Sequence, residues 1–207
     1  MLYIVRYSGP FGFIKPWTAV RDIETFTQQF LTPSIIEGME KKLYPELLSL
    51  ETFPKRIARH RLTYSGISRQ QEQTQPRGIK QKAKKIDTKT TSIEISRPRS
   101  ILTRGVMINP ILFLGFAKQE HAVTASSQHI CLCRNEDVLL PDGEVVRLDE
   151  TEFDKPDNGF NGFELRFGRN DQSFIVGYNR FHNNEPMYGW LQIVGDNPLQ
   201  TNRADLV

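Results

Sequence analysis

A polar segment of 36 residues, from Ser65 to Ser100, is the feature that most constrains the fold of this chain. It reads SGISRQQEQTQPRGIKQKAKKIDTKTTSIEISRPRS, with little apolar periodicity and a turn signal at Pro76-Arg77-Gly78. The segment is too polar to supply a hydrophobic core and too long for an ordinary loop. We therefore expect a long exposed hairpin or flap, with TSIEI as its returning strand, and a core built from the flanking sequence.

The charge of the chain is concentrated in and around this segment. The whole sequence carries 27 Lys and Arg against 24 Asp and Glu, a net charge of +3. Between Thr52 and Arg104 there are 14 Lys and Arg against three acidic residues, so this region carries +11 and the rest of the chain −8. Such a concentration is the pattern expected of a surface that binds a polyanion. A solvated basic loop without a partner is the simpler alternative.

The sequence before the polar segment predicts a strand, a helix and a second strand. LYIVRY, residues 2–7, is rich in β-branched and aromatic residues and ends at a Ser-Gly-Pro turn. Thr32-Pro33 predicts the start of a helix, and the proline after Tyr44 predicts its end. Residues 55–64, KRIARHRLTY, are compatible with a strand that has a basic face.

Beyond the polar segment the sequence is rich in strand signals. Residues 101–117, ILTRGVMINPILFLGFA, predict two strands with a turn at Asn109-Pro110. A hairpin is expected around Pro141-Asp142-Gly143. FELRF, SFIVGYNRF and MYGWLQIVG, separated by turn signals at 169–171 and 182–186, predict an antiparallel meander. The 207 residues are enough to bury a substantial core, and the fold class is α+β.

The composition argues against several classes of protein. No run of about 18 apolar residues predicts a membrane span, and the N-terminus lacks the features of a signal peptide, so we expect a cytoplasmic location. Two cysteines, Cys131 and Cys133, cannot complete a zinc site alone, and the four histidines show no metal-ligand spacing. No phosphate-binding G-x-x-x-x-G-K-[ST] loop occurs. We therefore expect neither a metal nor a cofactor.

Several motifs resemble the CRISPR-associated RAMP superfamily, and within it the Cas-five family, which holds the 5′ handle of CRISPR RNA in type I Cascade complexes. YIVRYSGPFGFIKPW is similar to the family's first strand and Gly-containing aromatic turn. LTPSIIEGMEKKLY is similar to its PTPS-small-x-x-G-x-x-x-x-x-Y/W helix. RIARHRLTYSGIS and LTRGVMINPILFLGFA are similar to two further strands, and the order of the motifs holds over roughly the first 120 residues.

The resemblance implies a ferredoxin-like, RRM-like RAMP core formed by residues 1–64 and 101–130. It further implies a basic β-hairpin thumb at residues 65–100 and an antiparallel, strand-rich C-terminal part at residues 131–207. The implied function is that of a non-catalytic subunit that caps the 5′ handle of the CRISPR RNA, in antiviral defence or in guided transposition. The implied partners are that RNA, a repeated backbone subunit and the large subunit of Cascade, with target DNA contacted through the complex.

In such a subunit, Lys and Arg would neutralise phosphates and aromatic rings would stack on splayed bases. The residues expected to contact RNA are Phe13, Trp17, Arg21, Arg59, His60, Arg61, Tyr64, Arg69, Arg77, Lys80, Lys82, Lys84, Lys85 and Arg104. Packing of the aromatic residues in the core is the alternative for each of them.

Some members of this family cut the CRISPR repeat without a metal, with a tyrosine at the end of the first helix and a later lysine–histidine pair. Tyr44 lies at the tyrosine position, and His121 is the nearest counterpart of the histidine. Such a cut requires a base that deprotonates the 2′-hydroxyl and an acid that protonates the leaving oxygen. Imidazole titrates near neutral pH and can serve in either role. Glu120 rather than lysine precedes His121, and its carboxylate would repel the phosphate.

A metal-independent endoribonuclease that uses Tyr44 and His121 is therefore our second hypothesis. The third belongs to a different class. It is a basic protein-interaction module unrelated to CRISPR, whose acidic remainder docks a partner.

Overall fold

The computed structural model describes residues 1–16, 23–49, 55–73, 78–85, 91–96, 101–179 and 183–195. Within these ranges the protein has the expected α+β class, with mostly antiparallel sheets and few helices. The helices are α1 (Pro33–Leu43), α2 (Gln119–Ser126) and α3 (Glu150–Phe153), with 3₁₀ turns at Pro45–Ser49 and Pro156–Asn158. The strands are β1 (Leu2–Ser8), β2 (Phe11–Gly12), β3 (Glu24–Phe26), β4 (Ile57–Thr63), β5 (Gly66–Gln73), β6 (Lys80–Lys85), β7 (Thr91–Ser96), β8 (Ile101–Ile108), β9 (Ile111–Phe116), β10 (Ile130–Cys131), β11 (Val138–Pro141), β12 (Val146–Leu148), β13 (Gly162–Phe167), β14 (Phe174–Asn179) and β15 (Glu185–Val194). None of the described helices is long and apolar enough to cross a bilayer.

Local sequence signals predicted the first helix and the central turn correctly. Thr32 is the N-cap of α1, with extended backbone angles, and proline occupies the first turn. The helix ends before Tyr44, whose amide still donates to the Glu40 carbonyl at 2.8 Å. β8 and β9 flank a turn in which Asn109 has a φ of +48°, a left-handed conformation that asparagine tolerates.

The largest sheet within the described residues has the strand order β10-β11-β1-β9-β4-β13-β15-β14, and β12 also pairs with β1. β9 lies between β1 and β4 and is antiparallel to both. Side chains alternate between the two faces of the sheet. One face, which includes Tyr7, Leu62 and Phe116, packs against α1 and α2 in the main hydrophobic core. The Tyr7 hydroxyl donates to the Ala125 carbonyl of α2 at 2.7 Å and so fixes the helix on the sheet.

The opposite face of the same sheet is covered by the segment that contains α3. Leu2, Ile4 and Phe113 form a second apolar cluster with Phe153 of α3, which is fully buried. The ring of Phe160 packs edge-on against Phe113, with centroids 5.3 Å apart. The C-terminal part of the chain therefore closes the side of the sheet that the two longer helices leave open.

Two nested antiparallel ladders occupy the polar segment and its flanks. β5 pairs with β8 along its whole length, and β6 pairs with β7 from Lys80↔Ser96 to Lys85↔Thr91. In sequence, both strands of the inner ladder therefore lie between the two strands of the outer ladder. β8 also pairs with β2 and, in parallel, with β3. These pairs join the outer ladder to the aromatic connection that follows β1.

Two turn signals interrupt a strand instead of reversing the chain, which corrects the sequence prediction. β11 and β12, on either side of Pro141-Asp142-Gly143, both pair antiparallel with β1 and so run in the same direction. β13 and β14, on either side of the 169–171 signal, both pair antiparallel with β15. The hairpin predicted at the first signal and the meander order predicted at the second are therefore wrong. The turn before β15 does reverse the chain, and Asn183 and Asn184 there have positive φ angles.

Candidate nucleic-acid interface

The inner ladder of the hairpin, formed by β6 and β7, has two chemically different faces. Residues directly opposite each other share a face, and successive residues alternate between faces. Ile93 and Ile95 lie on one face, opposite Ala83 and Gln81, and the two isoleucine side chains are 62% and 61% exposed. The other face has a single carboxylate, Glu94, opposite the middle of three lysines. These exposed lysines are Lys80, Lys82 and Lys84.

An exposed aromatic ring lies in the outer ladder, at the base of the hairpin. Phe26 of β3 is 46% exposed and lies across Gly105 of β8, where an added Cβ would come within 2.3 Å of the ring. The Arg69 guanidinium of β5 lies 5.8 Å from the ring centroid, and its Nε is 3.0 Å from the Glu24 carboxylate. A ring and a guanidinium in this arrangement suit an unpaired base and its phosphate. Phe26 is not among the residues expected to contact RNA, although it lies in an aromatic connection with basic residues nearby.

Arg104 and Phe13 are close together but are only partly available to a ligand. The Arg104 guanidinium lies 5.8 Å from the centroid of the Phe13 ring, and Arg134 lies 5.3 Å from it. Arg104 also pairs with Glu72 at 3.3 Å. Phe13 is 4% exposed, so in this arrangement its ring has no surface to offer a base.

The arginines of β4 point inward, which differs from the expectation that both contact RNA. Arg59 is 3% exposed and Arg61 is fully buried. Glu164 of β13 accepts hydrogen bonds from Nε and Nη2 of Arg59, both at 2.8 Å. Asp154 accepts one from each arginine at 2.6 Å. Both guanidinium groups therefore neutralise these buried and half-buried carboxylates inside the protein.

His60 and Tyr64 are also buried, at 6% and 4% exposure. Burial lowers the pKa of the His60 imidazole to about 4 and raises the pKa of Tyr64 to about 12, so both side chains are neutral near pH 7. The Tyr64 ring stacks on Phe163, with centroids 6.2 Å apart, in the main core. Both rings are therefore enclosed by protein in this structure instead of being open to a base.

Tyr44 and His121, the candidate catalytic pair, are in contact although 77 positions separate them. The Tyr44 hydroxyl donates to the backbone carbonyl of His121 at 2.8 Å, and the two rings lie 5.6 Å apart. Tyr44 is 2% exposed, and burial raises its pKa well above the ordinary value in spite of the Arg56 guanidinium 4.3 Å from its ring. Burial and the Arg56 guanidinium lower the pKa of the His121 imidazole. The Glu120 carboxylate, 3.7 Å from Nε2 of His121, opposes this shift. In this structure the tyrosine hydroxyl thus joins the end of α1 to α2.

Some expected contacts lie outside the part of the chain that the structure describes. These are Trp17, Arg21, Arg77 and the side chain of Lys85. Among the described candidates, the exposed cations are the three lysines of the inner ladder and Arg69.

Comparison with known proteins leaves this interface to be interpreted from its own chemistry. No protein-family model matches the chain, and no curated protein matches it. The function is therefore inferred from the distribution of charge and exposed apolar surface.

Proposed function

We propose that this protein is a non-catalytic RNA-binding subunit of a type I CRISPR Cascade complex, and that it caps the 5′ handle of the CRISPR RNA. The observation that carries the proposal is the two-faced inner ladder of the hairpin. Its basic face, with Lys80, Lys82 and Lys84, suits the phosphates of single-stranded RNA. Its apolar face, with Ile93 and Ile95, suits a neighbouring protein subunit. A solvated basic loop without a partner would not be expected to expose such an apolar face.

The order of the core strands supports the same family. If β1, β4, β9 and the β11–β12 edge are counted from first to fourth, the order across the sheet is fourth, first, third, second. α1 follows the first of these strands and α2 follows the third, and both helices pack in the same core. This order agrees with the βαββαβ connectivity of a ferredoxin-like core, which the resemblance to RAMP proteins implies. In sequence, the hairpin lies between the second and third of these strands, where the resemblance implies the thumb.

The basic face acts mainly by neutralising phosphates. Each phosphate contact to a single strand contributes about −0.7 to the slope of log affinity against log salt, so three lysines contribute about −2. Phe26, with Arg69 beside it, adds one stacked base at the foot of the hairpin, worth roughly 1–3 kcal/mol.

The experiment that tests this function reverses the charge of the basic face. The hairpin variant, Lys80→Glu with Lys82→Glu and Lys84→Glu, is compared with a control that makes the same change of charge at exposed residues elsewhere. The control substitutions are Lys118→Glu, Arg147→Glu and Lys155→Glu. We expect the hairpin variant to bind repeat-derived handle RNA about tenfold or more weakly and to flatten the salt slope by about 2, whereas the control changes little.

Two results of this experiment would count against the proposal. An equal loss of affinity in both variants would mean that net charge alone drives binding. Equal affinity of the native protein for handle RNA and for a scrambled RNA would instead support the basic interaction module. Co-purification with the cognate repeat–spacer RNA provides an independent check of the proposed complex.

The contact between Tyr44 and His121 favours a second candidate, the metal-independent endoribonuclease. Against it stand the buried hydroxyl of Tyr44 and the carboxylate of Glu120 beside the imidazole. Incubation of repeat RNA with the protein in EDTA separates the two functions. We expect the RNA to remain intact. Cleavage that is lost in both Tyr44→Phe and His121→Ala would establish the nuclease and overturn the non-catalytic assignment.

A further inference from the structure

A second surface combines aromatic rings with arginines, at a distance in sequence from the hairpin. Tyr188 and Trp190 of β15 alternate along the strand, so they share one face of the sheet, and both are partly exposed. Arg166 of β13 lies directly opposite Trp190. Glu164, on the same face of β13, contacts Arg59 beneath α3. The rings therefore lie on the side of the sheet opposite α1 and α2.

A second arginine and a glycine hold the two rings in place. The Arg169 guanidinium lies 4.1 Å from the centroid of the Tyr188 ring, and the Arg169 side chain is exposed. Gly168 has a φ of +135°, and an added Cβ there would lie 3.3 Å from Cζ3 of Trp190. The indole thus rests close to the backbone of Gly168, and an added side chain there would require the ring to shift by a few tenths of an ångström. Tyr178 of β14 is on the same face and is 59% exposed.

We propose that this face, which we call the aromatic surface and define by Tyr188, Trp190, Arg166 and Arg169, stacks two neighbouring bases of single-stranded RNA. Alternate residues of a strand are about 6.6–6.8 Å apart, roughly twice the 3.4 Å rise between stacked nucleotides, so each ring accepts its own base. Aromatic rings bind splayed bases in this way without strong sequence preference.

The arginines indicate nucleic acid as the occupant. The Arg169 guanidinium lies over the Tyr188 ring, and Arg166 is the cross-strand neighbour of Trp190. Guanidinium groups bind phosphates in a bidentate manner. Arg166 lies 4.0 Å from the buried Glu164 carboxylate and keeps 31% of its side chain exposed, so it is held in place and still accessible. The choice of RNA rests on the proposed function, whereas the site itself rests on residues that the hairpin does not share.

The fluorescence of Trp190 can show whether a base is stacked on its indole ring. The chain has two tryptophans, Trp17 and Trp190, so Trp17→Phe leaves a single indole in the full-length protein. Because a stacked base quenches indole fluorescence, a ten-nucleotide oligouridylate should quench this variant saturably. By anisotropy, Trp190→Leu should bind the labelled oligonucleotide about 5- to 150-fold more weakly.

Two variants distinguish stacking from a structural role. Trp190→Phe keeps an aromatic ring and should retain most of the affinity that Trp190→Leu loses. Ile193→Ala changes a 47% exposed side chain on the other face of β15 and should leave binding unchanged. Equal losses in all three variants would assign the effect to damage of the strand and overturn the stacking site.

The outcomes also separate this inference from the proposed function. If the oligonucleotide binds but Trp190 fluorescence does not change, the aromatic surface is refuted and the hairpin assignment stands. If quenching at saturating RNA survives charge reversal of the three hairpin lysines, the aromatic surface binds bases independently of the hairpin. If no RNA binds at all, both proposals fail. A concentration-dependent dimer that Trp190→Leu abolishes would make the surface a protein contact and would also overturn the inference.

Discussion

Acidification should destabilise this protein through His60, which is held neutral inside the fold. The side chain is 6% exposed, and Nε2 has no hydrogen-bond partner among the described residues. Burial is the main cause that lowers its pKa from the ordinary 6.5 to about 4. The carboxylate of Glu164 opposes this shift, and the guanidinium groups of Arg59, Arg61 and Arg166 add to it.

The sign and size of the effect follow from these two pKa values. Between about pH 6.5 and pH 4 the unfolded chain binds a proton at His60 that the native chain does not bind, so the free energy of unfolding falls as the pH falls. Each pH unit in this window contributes about 1.4 kcal/mol. The loss between pH 7.5 and pH 4.5 should therefore be about 2–3 kcal/mol, and this stability is fully present above pH 6.5.

Urea denaturation followed by circular dichroism at several pH values measures this loss. His60→Leu removes the titrating group and the unpaired nitrogen. Between pH 7.5 and pH 4.5 the free energy of unfolding of this variant should therefore fall by about 2–3 kcal/mol less than that of the native protein. His129→Leu is the matched control, because it makes the same substitution at an exposed histidine. Parallel pH profiles for the native protein and His60→Leu would refute the reasoning, as would an NMR titration of His60 near pH 6.5.

Two further predictions concern buried groups. Glu164→Gln should reduce the free energy of unfolding by about 3–5 kcal/mol, because it leaves two buried guanidinium groups undercompensated. Glu150→Gln removes a 56% exposed partner of the same cluster and should reduce the free energy of unfolding by less than about 1 kcal/mol. If urea denaturation gave equal losses for Glu164→Gln and Glu150→Gln, the result would contradict the buried network. Gly162→Ala should destabilise more than Gly143→Ala. Both glycines have positive φ, but only at Gly162 would the new Cβ meet a backbone oxygen of β4, at 2.4 Å. Thermal unfolding that ranks the two variants in the opposite order would exclude this clash.

Turn chemistry shows how far local sequence could predict the fold. Asn109-Pro110 was read correctly as a turn between two apolar strands, but β8 and β9 pair with β5 and β4 in one register and not with each other, so this turn does not form a hairpin. Pro141-Asp142-Gly143 has an equally strong turn signal, and Gly143 at a φ of +92° likewise interrupts a strand, which continues along β1. The turn between β14 and β15, in contrast, does reverse the chain. A turn signal specifies local dihedral angles, and whether the chain then reverses depends on which strand edge is available for pairing. That edge is a property of the whole sheet.

In the candidate site, local sequence likewise did not predict which charged side chains pair with each other. The alternation of Arg59 and Arg61 predicts that both lie on one face of a strand, and they do. The carboxylates that neutralise them come from Asp154 and Glu164, more than 90 positions later in the chain. Local sequence contains no signal for this pairing, so a basic strand that looked like an RNA-binding surface became part of the interior.

The sequence by itself determined the first strand, the helix from Pro33, the strand-rich remainder and the exposed polar hairpin, because periodicity, proline and polarity act over a few residues. The tertiary structure decided which cations remain exposed. It left Lys80, Lys82 and Lys84 at the surface and placed the β4 arginines under α3. It also brought Tyr44 to His121 and assembled the aromatic surface on β15. These outcomes depend on contacts between distant segments, since burial and charge compensation are set only when the whole core has formed.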